Sequence, residues 1–208
     1  MRLVLHDYWR SSAAYRVRIA LALKGLAYER VAVDLRAGAQ SDEANRAVNP
    51  QGFVPTLVAD GVAITQSLAI IDWLDAAVRV PRLIPSDPAA RARALAQALT
   101  IAADIHPLNN LRVLKRLRSQ FAADQDAIDD WYRHWITEGL DALEMASGDG
   151  PFLGGEAPGV ADVCLVPQLY NARRLDMAVE GWPTLAATEA ACVALPAFGA
   201  AHPDRFAP

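Results

Sequence analysis

Two adjacent hydroxyls, Ser11 and Ser12, stand at the predicted start of a helix. A short apolar strand over residues 3–5 precedes them, and the helix continues to Lys24 and ends at Gly25, a residue common at helix C-termini. The unpaired N–H groups and the macrodipole at a helix N-terminus both favour negative charge. The position therefore suits a thiolate, a carboxylate or a phosphate, although serine is also an ordinary helix cap.

Two further sites could bind a peptide-like ligand. Val54-Pro55-Thr56 precedes a predicted strand, where the proline marks either a sheet edge or a cis turn. With a cis bond, the N–H and C=O groups of Val54 would face outward and could pair with an extended peptide. Gln66 and Ser67 place an amide and a hydroxyl at another predicted helix N-terminus, which suits a carboxylate. The simpler alternatives are an edge-strand proline without a ligand and, at Ser67, a plain cap.

Together these sites describe one ligand, a short peptide with its thiol at Ser11, its backbone along Val54 and its γ-glutamyl carboxylate at Ser67. Glutathione has this structure. A free thiol has a pKa of about 8.5. A hydroxyl hydrogen bond to the thiolate contributes about 1.5–3 kcal/mol and the helix N-terminus about 0.3–1 kcal/mol, which lowers that pKa by roughly 1.5 to 3 units. We therefore expect Ser11 to donate this hydrogen bond, with Ser12 as a cap or a second donor.

The first 80 residues are predicted to place these sites on one α/β domain. The pattern indicates strand, helix and strand over about the first 35 residues, followed by a short helix at 41–48. A hairpin turned at Asp60-Gly61 comes next, and a helix from 68 to about 77 completes the order βαβ-α-ββα. This order predicts a small four-stranded mixed sheet covered by helices.

The chain changes character after Val80, where prolines at 81, 85 and 88 mark a linker. From residue 88 to 208 it is rich in alanine and leucine with helical periodicity, so a second, all-helical domain is expected. Pro107 should kink or divide the first long helix, which otherwise continues to about residue 121. Further helices are expected at about 126–145, from near Asp162 to near Arg174, and from Pro183.

Composition excludes several classes of partner. The 208-residue chain has a formal net charge of −4 and a pI near 5.5, which offer no broad attraction to nucleic acid or an anionic membrane. No apolar segment approaches the roughly 20 residues of a membrane span, and the N-terminus lacks a signal-peptide pattern. Cys164 and Cys192 are isolated in apolar helical contexts, where buried reduced thiols are expected, and the histidines lack metal-ligand spacing. We therefore expect a cytoplasmic protein without a metal site.

Over nearly its whole length the sequence resembles the glutathione transferase superfamily, and in particular its zeta class. That class includes maleylacetoacetate isomerases and bacterial maleylpyruvate isomerases. The order and spacing of the shared motifs carry the resemblance. These motifs are Ser11-Ser12, RVRIAL from Arg16, Asn49-Pro50, VPTL from Val54, QSLAII from Gln66, DIHPLNNL from Asp104, ADVCLVPQ from Ala161 and NARR from Asn171.

The resemblance implies a thioredoxin-like N-terminal domain followed by an all-helical one, that is, the glutathione transferase fold, in a homodimer. It implies glutathione as cofactor, with contacts from Ser11, Gln40, Val54, Gln66, Ser67, His106 and Asn110. The implied reaction, in the breakdown of aromatic compounds, is cis–trans isomerisation of maleylacetoacetate to fumarylacetoacetate, or of maleylpyruvate to fumarylpyruvate. The two carboxylates of such a substrate need cationic partners, and the candidates are Arg10, Arg112 and Arg174.

Two positions depart from the family pattern. Ala13 occupies the position of a cysteine that zeta-class members usually carry, so a mechanism that needs a protein thiol there is excluded, whereas one that takes its sulfur from glutathione survives. Gly159 stands where a serine or threonine usually caps a core helix, at a cost of tenths of a kcal/mol. Two alternatives stay open: a general transferase that conjugates glutathione to electrophiles such as α-haloacids, and a non-catalytic binding protein of the same fold.

Overall fold

In the computed structural model, which describes residues 1–208, the first part of the chain forms a four-stranded sheet with three helices. In chain order these elements are β1 (Leu3–Asp7), α1 (Ser12–Leu23), β2 (Glu29–Ala32), α2 (Glu43–Val48), β3 (Thr56–Ala59), β4 (Val62–Thr65) and α3 (Ser67–Ala77). β1 pairs in parallel with β2 and antiparallel with β3, and the strand order is β2-β1-β3-β4. The predicted order βαβ-α-ββα and the mixed sheet are confirmed.

The predicted hairpin turn is also confirmed. Asp60 and Gly61 have φ angles of 47° and 89°, so both lie in the left-handed region that a two-residue hairpin turn requires. Glycine adopts this conformation at no steric cost, and aspartate tolerates it better than most residues. The sequence pair Asp-Gly thereby fixes the register in which β4 returns along β3.

The second part of the chain is helical. Its helices are α4 (Pro88–Leu99), α5 (Leu111–Phe121), α6 (Gln125–Ala146), α7 (Val160–Arg173), α8 (Pro183–Val193) and α9 (Pro196–Ala201). The predicted division near Pro107 is confirmed, but α-helical geometry already ends at Leu99, and Thr100–Ile105 form a π-helical segment. This segment lies against α6 at Gly139, where an added Cβ would stand 2.3 Å from Cγ1 of Ile105. The close approach therefore requires a glycine.

Packing divides the chain into two compact units, Met1–Ile84 together with Val193–Pro208, and Pro85–Cys192. The C-terminal segment was expected in the helical domain, whereas it lies in the first unit, because α9 packs on α1 and the buried Arg18 Nε donates to the carbonyl of Ala201 at 3.0 Å. The ring of Phe206 also covers the Arg18 guanidinium at 4.7 Å. Among all these helices, none has both the length and the apolar surface that crossing a membrane requires.

A buried ion pair holds the segment that follows α3 in the first unit. Lys24 Nζ donates to Asp75 Oδ1 at 2.8 Å and to the carbonyls of Val78 and Pro81 at 2.7 and 2.9 Å. The same carboxylate accepts the backbone N–H groups of Leu83 and Ile84 at 2.8 and 3.0 Å. Because an ammonium has three hydrogens, every donor of Lys24 has an acceptor. One charge pair therefore holds the whole segment that follows α3.

In the second unit, Glu144 joins α6 to the N-terminus of α8. Its carboxylate accepts the N–H groups of Thr184 and Leu185 at 2.9 and 3.0 Å. Burial acts to raise the pKa of Glu144, but the hydrogen bonds from Thr184 and Leu185 outweigh it and hold that pKa below its ordinary value. The stabilisation is therefore complete above the pKa of the unfolded chain and is lost as the pH falls through the lower folded-state pKa.

We therefore expect Glu144→Gln to lower the free energy of unfolding at neutral pH and to have a progressively smaller effect in acid. Urea unfolding of both proteins, at neutral pH and below the folded-state pKa, measures this difference. Glu156→Gln, at an exposed position, is the matched control and should leave the free energy of unfolding nearly unchanged at both pH values. A Glu144→Gln effect that is constant with pH would contradict the role of the charge.

Candidate active site

Ser11 is the N-cap of α1. Its backbone is extended, with φ −72° and ψ 119°, and its Oγ accepts the N–H of Ala14 at 3.2 Å. A hydroxyl has two acceptor lone pairs and one hydrogen, so capping leaves the Ser11 O–H able to donate to a ligand. Ser12 is the first helical residue, so the expectation that Ser12 might cap is wrong, and its role as a second donor stays a prediction.

Buried ion pairs fix the chain immediately before Ser11. Asp7 accepts from Arg18 Nη1 at 2.8 Å and from Arg30 Nε at 2.9 Å. Arg18 Nη2 also donates to the carbonyl of Trp9 at 2.9 Å. Arg10 follows directly, half-buried, with its guanidinium 5.4 Å from the centre of the Trp9 ring. The loop that carries both Arg10 and Ser11 is therefore held by charges on β1, α1 and β2.

The peptide bond between Val54 and Pro55 is cis, which confirms one of the two expectations for this proline. The other expectation, a sheet edge, is wrong because the strand that follows, β3, lies between β1 and β4. Asn49 shapes this loop: its Nδ2 donates to the carbonyl of Phe53 at 3.1 Å and to Oγ1 of Thr56 at 3.0 Å. Val54 is half-buried just ahead of β3.

At the start of α3 the capping residue is not the expected one. Gln66 occupies the N-cap position and Ser67 is the first helical residue, so the expected Ser67 cap is wrong. Gln66 has a φ of 68°, which a residue with a side chain adopts at a cost of order 1–3 kcal/mol, and such strain is common where a protein holds a ligand. Its Nε2 donates to Oε1 of Gln51 at 3.1 Å. The strained residue therefore stands at an exposed helix N-terminus.

Ser67 has a buried cationic neighbour, Arg16, which the sequence alone does not identify as part of the site. Arg16 Nη1 donates to Ser67 Oγ at 3.3 Å, and Arg16 is 1% exposed. The contact links α1 to the N-terminus of α3 and adds a positive charge to the dipole there. Both effects favour a carboxylate at Ser67. The available signal was the two arginines of the segment RVR within an otherwise apolar helix.

Gln40 lies in a short 3₁₀ helix, Ala39–Ser41, whose backbone is packed closely. The carbonyl of Gln40 accepts from Asn45 Nδ2 at 2.9 Å, and an added Cβ at Gly52 would stand 3.0 Å from the same oxygen. The side-chain Oε1 of Gln40 is buried and has no hydrogen-bond partner within the chain. It is an acceptor that fits a donor of a peptide-like ligand. Ser11, Gln40, Val54, Gln66 and Ser67 all belong to the first compact unit.

The remaining predicted residues belong to the second unit. His106 follows the π-helical segment, and its N–H donates to the carbonyl of Ile101 at 2.9 Å. Asn110 is the N-cap of α5 and accepts the N–H of Arg112 at 3.1 Å, so its Nδ2 is the group that can contact a ligand. Arg174, which follows α7, donates to Asn171 Oδ1 at 3.0 Å.

Neither cysteine is suited to act as a nucleophile. Cys164 and Cys192 are both fully buried, and neither forms a disulfide, as the sequence predicts. Burial, together with the nearby charges of Asp162 and Glu189, raises the pKa of the Cys192 thiol strongly. With Ala13 at the start of α1, a reactive sulfur at this helix must therefore come from a bound molecule.

The chain is similar to known proteins in both sequence and structure. Residues 10–77 match the glutathione S-transferase N-terminal domain, and residues 88–188 match the C-terminal domain. The chain is 46% identical to a probable maleylacetoacetate isomerase of Vibrio cholerae, over 98% of this chain and 97% of that protein.

Two solved structures are similar over almost the full length. One, with a TM-score of 0.93 and 41% identity over 96% of each chain, is the holo structure of a maleylpyruvate isomerase described as a bacterial zeta-class glutathione S-transferase. The other is a maleylacetoacetate isomerase of Anaeromyxobacter dehalogenans with dicarboxyethyl glutathione and citrate in its active site. It has a TM-score of 0.87 and 46% identity, over 98% of this chain and 95% of that one. The chain therefore belongs to the glutathione S-transferase family, and within it to the zeta class.

Proposed function

We propose that this protein is a glutathione-dependent cis–trans isomerase of a maleyl keto acid, either maleylacetoacetate or maleylpyruvate. The observation that carries the proposal is the Ser11 hydroxyl at the N-terminus of α1, in a chain with no suitable cysteine of its own. The names of the similar proteins support the same reaction, among them one that is 46% identical and one that is 41% identical to this chain over nearly its full length.

The residues of the first unit fit glutathione by their chemistry. Ser11 offers a donor to the thiol sulfur, and the buried Oε1 of Gln40 offers an acceptor. Gln66 and Ser67, with Arg16 behind them, offer donors and positive charge to a carboxylate. When bound, glutathione supplies a sulfur nucleophile that adds to the cis double bond, permits rotation about it and leaves as the trans double bond forms. It is regenerated and therefore acts as a cofactor.

The chain's own part in this chemistry is to hold the sulfur ionised and to orient the substrate. Ser11 donates a hydrogen bond that is stronger to a thiolate than to a thiol, and the N-terminus of α1 adds its dipole. His106 and Asn110 are proposed as further glutathione contacts because the family resemblance implies them. Arg10, Arg112 and Arg174 are proposed to bind the substrate carboxylates, because guanidinium groups pair with carboxylates in a two-point geometry.

The reaction is tested by product analysis with maleylpyruvate and with maleylacetoacetate. We expect the fumaryl isomer to form while the glutathione concentration stays constant. Consumption of glutathione in proportion to product would instead indicate a conjugating transferase. Retention on immobilised glutathione without turnover would indicate a binding protein. The ratio of steady-state rates with the two substrates then identifies the preferred one.

Substrate recognition by Arg174 leads to a specific prediction. Arg174→Ala should raise the KM for a dicarboxylate substrate by roughly 10-fold or more, since a hydrogen bond to a charged group contributes about 1.5–3 kcal/mol. The KM for a neutral electrophile should change little. The measurement is steady-state kinetics with both substrates. Equal effects on the two would contradict carboxylate recognition at this position.

A homodimer and a cytoplasmic location also stay proposals. Both rest on the resemblance to the family and on the charge and composition of the chain. Light scattering during gel filtration measures the mass in solution, and a mass of one chain would contradict the dimer.

A further inference from the structure

One turn of α6 contacts both segments of the second unit that carry a proposed substrate arginine. Trp131 Nε1 donates to the carbonyl of Leu108 at 3.0 Å, and Asn109 Nδ2 donates to the backbone carbonyl of Tyr132 at 3.3 Å. These two bonds tie the loop after the π-helical segment to α6. Arg112 follows this loop, at the second position of α5. The side chain of Trp131 and the backbone carbonyl of Tyr132 thus position the segment that leads into Arg112.

The hydroxyl of Tyr132 contacts the second segment. It accepts a hydrogen bond from Nδ2 of Asn171 on α7, and Oδ1 of the same amide accepts from Nη1 of Arg174 at 3.0 Å. Asn171 is only 5% exposed, so loss of either partner would leave one end of its buried amide without a hydrogen bond. Both the NH₂ group and the oxygen of this amide are therefore hydrogen-bonded, the first to the tyrosine and the second to the arginine.

The arginine decides which end of the amide it faces, because a guanidinium only donates and therefore needs the oxygen of Asn171. The Tyr132 hydroxyl, which can donate or accept, accepts from the NH₂ group on the other side and holds the amide in place. A turned amide would place two donors against each other. Burial raises the pKa of Tyr132, so its hydroxyl stays neutral at neutral pH. The tether therefore orients the guanidinium without adding a charge to it.

Arg173, the last residue of α7 and the neighbour of Arg174, is held differently. Both terminal nitrogens of Arg173 donate to the two carboxylate oxygens of Glu189, at 2.6 and 2.5 Å. That geometry is the two-point pairing that an arginine makes with a substrate carboxylate. Arg173 is thus engaged by a carboxylate of the chain, whereas the contact between Arg174 and Asn171 involves a neutral oxygen.

We infer that Tyr132 is a positioning residue for substrate binding: through Asn171 it orients Arg174 toward a substrate carboxylate. The inference rests on the proposed function, in which Arg174 binds that group. In this role Tyr132, a residue of α6, acts through the side chain of Asn171.

The test is a double-mutant cycle with maleylpyruvate as substrate. Tyr132→Phe removes only the hydroxyl and should raise KM roughly 3- to 10-fold, the loss expected for one neutral hydrogen bond, with kcat nearly unchanged. In an Arg174→Ala background the same substitution should have no further effect on KM, because the group that it positions is gone. Trp131→Phe is the matched control: it loosens the other segment, so its effect should persist in the Arg174→Ala background.

The outcomes separate the inference from the proposed function. If Arg174→Ala leaves the KM for maleylpyruvate unchanged, the role of Arg174 fails and the inference with it. Two other results would overturn the inference while the proposed function stands, because each would make Tyr132 only structural. In the first, Arg174→Ala raises KM but Tyr132→Phe does not. In the second, the effects of the two substitutions on KM add. Asn171→Asp is a near-isosteric second variant that needs no loss of packing. Its carboxylate should compete for Arg174 and raise KM with kcat retained, and an unchanged KM would also overturn the inference.

Discussion

Replacing Ser11 by alanine is expected to lower glutathione-dependent isomerisation at neutral pH by roughly 10- to 150-fold. This range corresponds to a hydrogen bond of about 1.5–3 kcal/mol between a hydroxyl and a thiolate, at 1.36 kcal/mol for each factor of ten. Part of the rate should return at higher pH, because raising the pH ionises the bound thiol without help from the hydroxyl. Steady-state rates as a function of pH measure both effects.

The control must separate the hydroxyl's two roles, since Ser11 also caps α1. Alanine at an N-cap lowers stability by about 0.5–2 kcal/mol, whereas glycine lowers it by only a few tenths. Ser11→Gly should therefore retain a stable helix and still lose the rate, whereas Ser11→Thr should retain both. Ser12→Ala changes the neighbouring hydroxyl and is expected to have the smaller effect. Full activity in Ser11→Gly would remove Ser11 from the chemistry.

Replacing Lys24 by methionine is expected to lower the free energy of unfolding by about 3–5 kcal/mol. Removing one partner of a buried ion pair leaves the other charge without compensation, and this loss exceeds the net contribution of the intact pair. Here the side chains of Lys24 and Asp75 are 0% and 4% exposed. The carbonyls of Val78 and Pro81 also lose their donor. Urea unfolding, analysed by linear extrapolation, measures the change.

The chain contains a matched surface pair for comparison. Arg2 and Glu29 also form an ion pair, at 3.0 Å, but their side chains are 78% and 59% exposed. Arg2→Met should change the free energy of unfolding by no more than about 1 kcal/mol, because exposed pairs contribute little. If both substitutions had the same small effect, the buried pair would not hold the segment after α3.

The parts of the fold that the sequence predicts are those that local chemistry determines. Asp60 and Gly61 specify the hairpin because few other residue pairs accept two left-handed φ angles in succession. The division of the long helix near Pro107 is predictable because proline lacks the N–H that a continuous helix needs, although α-helical geometry already ends at Leu99. The sequence predicts Gly159 as a passable cap, and Gly159 is the N-cap of α7, where Asp162 accepts its N–H at 2.7 Å.

The parts that the sequence does not predict depend on contacts between distant residues. The C-terminal segment packs in the first unit because Arg18 bonds to Ala201, and the two are separated by 183 positions. Gln66 rather than Ser67 takes the cap position of α3, with a left-handed φ that glutamine does not favour by itself. The π-helical geometry of residues 100–105 likewise has no local signal, because it coincides with a close contact at Gly139.

The candidate site shows the same division. Ser11, Val54 and Gln66 could be chosen from the sequence because each stands next to a helix start or a proline. The buried groups behind them could not: the bond from Arg16 to Ser67 joins two helices, and that from Asn171 to Tyr132 joins two others. Such contacts depend on how the helices pack, which periodicity alone does not specify. The family resemblance predicts which arginines of the second unit bind the substrate, but it does not predict which side chains those arginines contact.

The most direct test of the account is a titration of glutathione bound to the protein, followed by the ultraviolet absorbance of its thiolate. We expect the bound thiol to have a pKa roughly 1.5 to 3 units below the free value of about 8.5, and expect most of that shift to be lost in Ser11→Gly. A bound thiol that titrates like free glutathione, or an equal shift in the variant, would contradict the claim that Ser11 and the N-terminus of α1 hold the sulfur ionised.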